Sequence, residues 1–196
     1  MRHASLSLCL LLYLATAVGQ SRDSAPQVSI RKLKIECSSC QLSAQERSQI
    51  SEEVKSHTKT SDEISQQVRS AYQKRGFFKV VVSEPSVTPI GPADAHGEID
   101  AAISVKEGQQ YHLKAITFSG GTAFSAAELR PEFRIADGDL FNVDQIRQGL
   151  EALRELYASK GFVKFAAVPD TTVDDEKRTV AVRIDLHEGD RTTAVN

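Results

Sequence analysis

The stretch "ELYASKGFVKF", residues 155–165, decides how the chain is read, because it has a counterpart in "SAYQKRGFFKV", residues 70–80. In both, a Tyr is followed four residues later by Gly-Phe, and then by a Lys and an apolar residue. Tyr72 and Tyr157 lie 85 residues apart, and the correspondence spreads outward from them. Val28, Ile30, Leu33 and Ile35 align with Tyr111, Leu113, Ile116 and Phe118 at an offset of 83. Ser43-x-x-Glu46 aligns with Ser125-x-x-Glu128 at 82, and "ISVKEG" (103–108) with "IDLHEG" (184–189) at 81. A drift of a few residues is what loops of unequal length produce. Two divergent copies of one unit of about eighty residues therefore describe the chain better than one domain, and each copy needs a core of its own.

Each copy reads in one order. A first strand covers about 28–35 and 111–118, and in both the apolar alternation slips by one residue midway, as at a bulge. Ser43 with Glu46, and Ser125 with Glu128, form capping boxes that start a first helix. Pro131 cuts that helix short in the second copy. Thr60 with Glu63, and Asn142 with Gln145, cap a second helix. Its apolar stripe is Ile64, Val68 and Tyr72 in one copy, and Val143, Ile146, Leu150, Leu153 and Tyr157 in the other. Such a stripe reads as core. Gly76 and Gly161 are left-handed caps that end the helix, and Phe77 and Phe162 are read as the start of a strand. That second strand runs into Pro85 and Pro169, which places it at a sheet edge. The last strands alternate cleanly: Ile99, Ala101, Ile103 and Val105 face inward, as do Val180, Val182, Ile184 and Leu186. The fold class is α+β: two tandem β-α-α-β-β units, each a three-stranded mixed sheet with two helices on one face. They are assigned to 28–108 and 109–190, between a short linker (20–27) and a tail (191–196).

Residues 1–19 carry a basic start, the apolar run "LSLCLLLYLATAV" and small residues at a cleavage position. That is the pattern of an export signal, and the run is too short to span a bilayer. The formal charge of -2 supplies no basic field for nucleic acid or acidic lipid. After the signal only Cys37 and Cys40 remain as cysteines. In an oxidising compartment Cys-x-x-Cys is read first as a local disulfide. The rival reading is a thioredoxin-like redox pair, but the helix starts at Ser43 rather than on the first Cys. A four-Cys zinc site has no second pair. His57, His96, His112 and His187 show no ligand spacing. Asp170, Asp174 and Asp175 fall near a hairpin turn and read as solvated. "SGGT" lacks a phosphate-binding Lys. No catalytic residue, metal or cofactor is assigned.

Residues 111–190 resemble a POTRA (polypeptide-transport-associated) domain. The likeness rests on "I-x-F-x-G" in the first strand (Ile116, Phe118, Gly120), on Gly138-Asp139-x-Phe141-Asn142, on Leu153-x3-Tyr157-x3-Gly161-Phe162, and on the closing Glu188-Gly189. The first copy keeps the order and the Tyr-x3-Gly-Phe corner. It departs at Cys37 and Cys40 and lacks the Gly-Asp-x-Phe-Asn element.

The resemblance implies a non-catalytic periplasmic module whose partners are outer-membrane protein clients or a β-barrel assembly or secretion protein. Barrel insertion is not carried over, since no alternating ten-residue strands or aromatic girdle follow. Binding by strand addition is expected at the second-strand edge, on Phe162, Val163, Lys164, Phe165, Ala166, Ala167 and Val168, with 77–82 as a weaker counterpart. The alternatives are an exported thiol-disulfide protein using Cys37 and Cys40, and an envelope scaffold.

Overall fold

The computed structural model describes residues 29–57, 60–91 and 97–191. The expected signal, the linker, Val28, His96 and residues 192–196 lie outside them. In the first unit, strand β1 (Ser29–Cys37) leads to helices α1 (Ala44–His57) and α2 (Ser61–Gln73), then to strands β2 (Val81–Val82), β3 (Ser86–Ile90) and β4 (Glu98–Lys106). In the second, β5 (His112–Ser119) leads to a short α3 (Ala126–Leu129), continued by a 3-10 turn (Arg130–Glu132). The long α4 (Val143–Ser159) and strands β6 (Ala166–Asp174) and β7 (Thr179–His187) follow.

The two sheets share one plan. β1 is parallel to β4, and β5 to β7. β2 and β3 together occupy the antiparallel edge beside β4 that β6 occupies beside β7. Between β2 and β3 four residue steps answer three on β4, so that edge is broken where β6 is continuous. The slip in the first strands is a register shift, between Ile30 and Lys32 in β1 and between Leu113 and Ala115 in β5. Helices cover one face of each sheet. Ile50, Val54, Ile64, Val68, Ala71 and Tyr72 meet the inward residues of β4, while Ile146, Leu153 and Tyr157 meet those of β7, in two separate cores. Each fully buried Ile, Leu or Val among them contributes about 1.5–3 kcal/mol.

The caps differ in detail from expectation. Both boxes form: the backbone N–H of Ser43 donates to Glu46 Oε2 at 2.8 Å, and that of Ser125 to Glu128 Oε2 at 2.8 Å. Asn142 accepts from the amides of Asp144 and Gln145. Gln145 does not close a box there; its amide reaches the Arg134 carbonyl. Thr60 sits at the N-cap of α2 in extended backbone, but its side chain makes no capping bond. The helix leans instead on Asp62 and Glu63 in its first turn.

Two strand boundaries are corrected. Phe77 and Phe162 do not open strands; β2 begins at Val81 and β6 at Ala166. Pro85 lies in the break between β2 and β3, as a strand that finishes near it requires, but proline does not end the second strand of the second unit. Pro169 lies inside β6 opposite Ile184, and Pro89 lies inside β3 opposite Ile99. Both sit on edge strands, where a missing N–H facing outward removes nothing from the ladder.

Candidate functional site

The repeated Tyr-x3-Gly-Phe motif closes its helix by one device in both units. The amides of Gly76 and Phe77 donate to the carbonyls of Gln73 and Tyr72, and those of Gly161 and Phe162 to Ala158 and Tyr157. This is the Schellman pattern, with Gly in the left-handed position at φ +87° and +89°. It brings the residue after Gly against the residue five before it, and the rings meet edge to face: Tyr72 and Phe77 at 5.8 Å, Tyr157 and Phe162 at 5.7 Å. A second tight turn follows, from the Val80 amide to the Phe77 carbonyl and from the Phe165 amide to the Phe162 carbonyl. Residues 162–165 are therefore a turn and not a strand. Phe165 folds back to stack on Tyr157 at 3.9 Å, while Val163 is left 69% exposed.

Of the seven residues expected to form one edge, only Ala166, Ala167 and Val168 belong to a strand. Phe162, Val163, Lys164 and Phe165 belong to the corner. The edge extends the other way, through Pro169 to Asp174. β6 pairs with β7 on one side and, among the described residues, with no strand on the other. Proline fits a paired strand where its nitrogen faces away from the partner. Alternation then directs the backbone of Ala167, Pro169, Thr171 and Val173 to the open side. The edge is apolar from Ala166 to Pro169 and polar from Asp170 to Thr172, with Val168 as its exposed large apolar residue.

Beneath the corner lies a second repeated contact. The closing Glu of each unit caps the loop that leaves the first strand. Glu107 Oε2 accepts from the amides of Gln41 and Leu42, and Glu188 Oε1 from those of Thr122 and Ala123, both at 2.8 Å. The Ala123 amide is the chief cause holding the Glu188 carboxyl below the usual range. The corner tyrosine lies nearby in both units. Burial, and then the charge of Glu188, push the Tyr157 phenol up to about 12, and Tyr72 is raised in the same way beside Glu107. Both phenols stay neutral at ordinary pH.

The first corner is where the units join. Phe78 packs edge to face on Phe141 at 5.1 Å and on Tyr111 at 6.4 Å. Lys79 donates to Asp175 at 2.6 Å, and the Tyr111 hydroxyl reaches the same carboxylate at 2.6 Å. The Tyr111 amide donates to the Gly76 carbonyl at 2.9 Å, and Gln110 Nε2 to the Arg75 carbonyl at 2.9 Å. Phe141 is held there by the Gly-Asp-x-Phe-Asn element, whose Phe141 and Asp139 bond the start of β5. Asp175, read from sequence as a solvated turn residue, is an inter-unit ligand. Its partners lie far off in sequence; the only local signal was the second aromatic of "GFF", one more than the corner needs.

Cys37 and Cys40 are joined in a disulfide at the end of β1, ahead of α1. Neither sulfur stands at a helix N-terminus, the setting that activates redox cysteines. Their sulfurs and Glu107 lie within 4.8 Å of one another, but bonded sulfurs offer no thiolate to a metal. Among the described residues no helix is long and apolar enough to cross a membrane.

An α+β unit with an open second-strand edge and a Schellman corner defines the class, and comparison with known proteins agrees. The POTRA family model (surface antigen variable number repeat) matches residues 111–189, the second unit. The structure of POTRA domains 3–5 of BamA from Haemophilus influenzae is similar over 84% of this chain and 67% of its own, with a TM-score of 0.62 and 19% identity. BamA from Haemophilus ducreyi lacking POTRA domains 1–3 is similar over 81% of this chain and 29% of its own, at 0.56 and 16%. These two likenesses establish the fold, for both units. A Treponema pallidum (strain Nichols) protein, named as a candidate outer membrane protein assembly factor, is 27% identical over 125 residues. The match covers 63% of this chain and 15% of that protein's length.

Proposed function

We propose that the chain is a protein-binding module of the outer-membrane assembly type, working in the periplasm, and that it holds extended client segments by adding them as a strand to the outer edge of β6. The observation that carries this reading is the continuous nine-residue β6, open along its outer side. Backbone pairing gives affinity that tolerates varied client sequences. Pro169 and the polar residues after it keep the edge from pairing with its own kind, a common protection of edge strands. The broken β2–β3 edge of the first unit is a poorer template. The match of the second unit to the POTRA family model, and the similarity to a candidate outer membrane protein assembly factor, support the choice of client: an unfolded segment of an outer-membrane β-barrel.

The test is cross-linking from Val168→Cys and Thr172→Cys to such a client. Labelling at both sites is expected, and labelling only from cysteines on α3 and α4 contradicts the reading. Thr171→Pro, which removes an outward N–H while sparing the β7 ladder, is expected to weaken binding about five- to tenfold, the worth of roughly one hydrogen bond at ~1 kcal/mol.

A further inference from the structure

The closing glutamates of the two units hold equivalent loops, but their oxygens are not equally satisfied. In the second unit Glu188 uses both. Oε1 accepts from the amides of Thr122 and Ala123, and Oε2 from the Thr122 hydroxyl at 2.9 Å. In the first unit Gln41 supplies the amide that Thr122 supplies there, but it sends its side chain away, to the Gly108 carbonyl at 2.5 Å. Glu107 therefore keeps two amide bonds to Oε2 and has no hydroxyl for the other oxygen. Oε1 is buried with no hydrogen-bond partner among the described residues, on a side chain wholly removed from solvent. Such an oxygen is costly unless something completes it. The corner tyrosine stands beside the glutamate in both units, so it does not account for the difference.

What the first unit has in this loop, and the second lacks, is Cys37 and Cys40. Their sulfurs and a carboxylate oxygen of Glu107 all lie within 4.8 Å of one another, and their Cα atoms are 5.7 Å apart. In the disulfide both sulfurs are spent. As thiols, the state in which the chain is made, they are two soft ligands at the two-residue spacing of zinc sites. Beside them stands a carboxylate already held in place by the Gln41 and Leu42 amides, as ligands to a metal are held. Cys40 is exposed, which gives an ion a way in, while Glu107 lies buried beneath.

We infer that Cys37 and Cys40 in their thiol form, together with Glu107, make a binding site for one zinc ion, and that the disulfide and the metal exclude each other there. Two thiolates and a carboxylate supply three of the four positions of tetrahedral zinc, and water takes the fourth. The sulfurs favour zinc over calcium or magnesium, and the carboxylate favours it over copper(I). Binding sends the two thiol protons to solvent and leaves both sulfurs at their oxidation level. Forming the disulfide instead passes two electrons and two protons to a disulfide oxidant, which becomes a dithiol. A reducing dithiol runs the same exchange backwards and reopens the site. The inference rests on the first unit alone and is independent of strand addition at β6.

The test uses the full chain with Cys9→Ser, which leaves Cys37 and Cys40 as its only cysteines. The chain is reduced with a phosphine, kept from oxygen, and titrated with Zn²⁺ alone against a chromophoric chelator. One equivalent is expected to bind with release of two protons, and the disulfide form and Cys40→Ser are expected to lose that binding. Glu107→Gln keeps an oxygen for the loop amides and replaces the other by a group that is no ligand. It is expected to weaken zinc about tenfold or more, with circular dichroism showing that it is folded. If it is folded and its affinity is unchanged, the inference is overturned, as it is if reduced and disulfide forms bind alike. Should that variant not fold, zinc-edge X-ray absorption on the chain with Glu107 intact decides. Two sulfurs at about 2.3 Å and oxygen at about 2.0–2.2 Å are expected. Four sulfurs, from two chains sharing one ion, or none, would overturn it.

Discussion

A glycine within a helix ordinarily weakens it by about 1 kcal/mol relative to alanine. Gly149 in α4 reverses that expectation. A Cβ there would lie 2.2 Å from Phe133 Cδ1, so the helix can approach the 3-10 segment only without a side chain. Gly149→Ala is expected to destabilise the second unit by about 1–3 kcal/mol, the usual cost of overpacking, measured by chemical denaturation. Tyr157 is a residue of the opposite kind. It is fully buried and touches Phe124, Phe162 and Phe165. Tyr157→Ala should cost about 3–5 kcal/mol. The doubled Tyr-x3-Gly-Phe was legible in the sequence as a corner because the spacing of Tyr, Gly and Phe is itself the Schellman geometry.

At the scale of elements, alternation and capping marked out the helices and the central strands, because each of those has one buried face. The second strand was misplaced for a definite reason. Phe162 and Phe165 are three apart, a spacing that puts them on opposite faces of a strand but on one side of a tight turn, and both pack on Tyr157. The β6 edge beyond Val168 was illegible because Pro169 reads as a terminator unless the strand is known to lie on an edge. The Glu188 loop cap predicts a pH effect. Its carboxyl titrates lower in the folded unit, so its contribution is fully present above the ordinary glutamate value of about 4.3 and is lost as pH falls through the folded value. Thermal scans from pH 6 to 2 should show the second unit losing stability at the acid end, and Glu188→Gln should flatten that slope.

At the scale of the molecule, two units meet at one corner through an aromatic cluster and the Lys79–Asp175 pair. The Lys79 ammonium is raised, and the Asp175 carboxyl lowered, chiefly by the hydrogen bond between them. The pair therefore supports docking above the ordinary aspartate value of about 3.9 and below the ordinary lysine value of about 10.4, and fades as pH passes through each shifted value. Both groups are well exposed, so salt should weaken the contact. Small-angle scattering of Phe78→Ala, and of Asp175→Asn at low salt, is expected to show a broader distribution of inter-unit angles than the unaltered chain. The joint was beyond reach of sequence reading, because nothing local pairs Lys79 with a turn residue in the next unit.

Strand addition at β6 is tested most directly by amide exchange on the isotope-labelled chain, with and without an unfolded barrel segment. The amides of Ala167, Thr171 and Val173 should become protected on binding, while those of Val168, Asp170 and Thr172, already bonded to β7, should change little. Saturable binding that leaves the three outward amides unprotected, or that protects only the helical face, would contradict it.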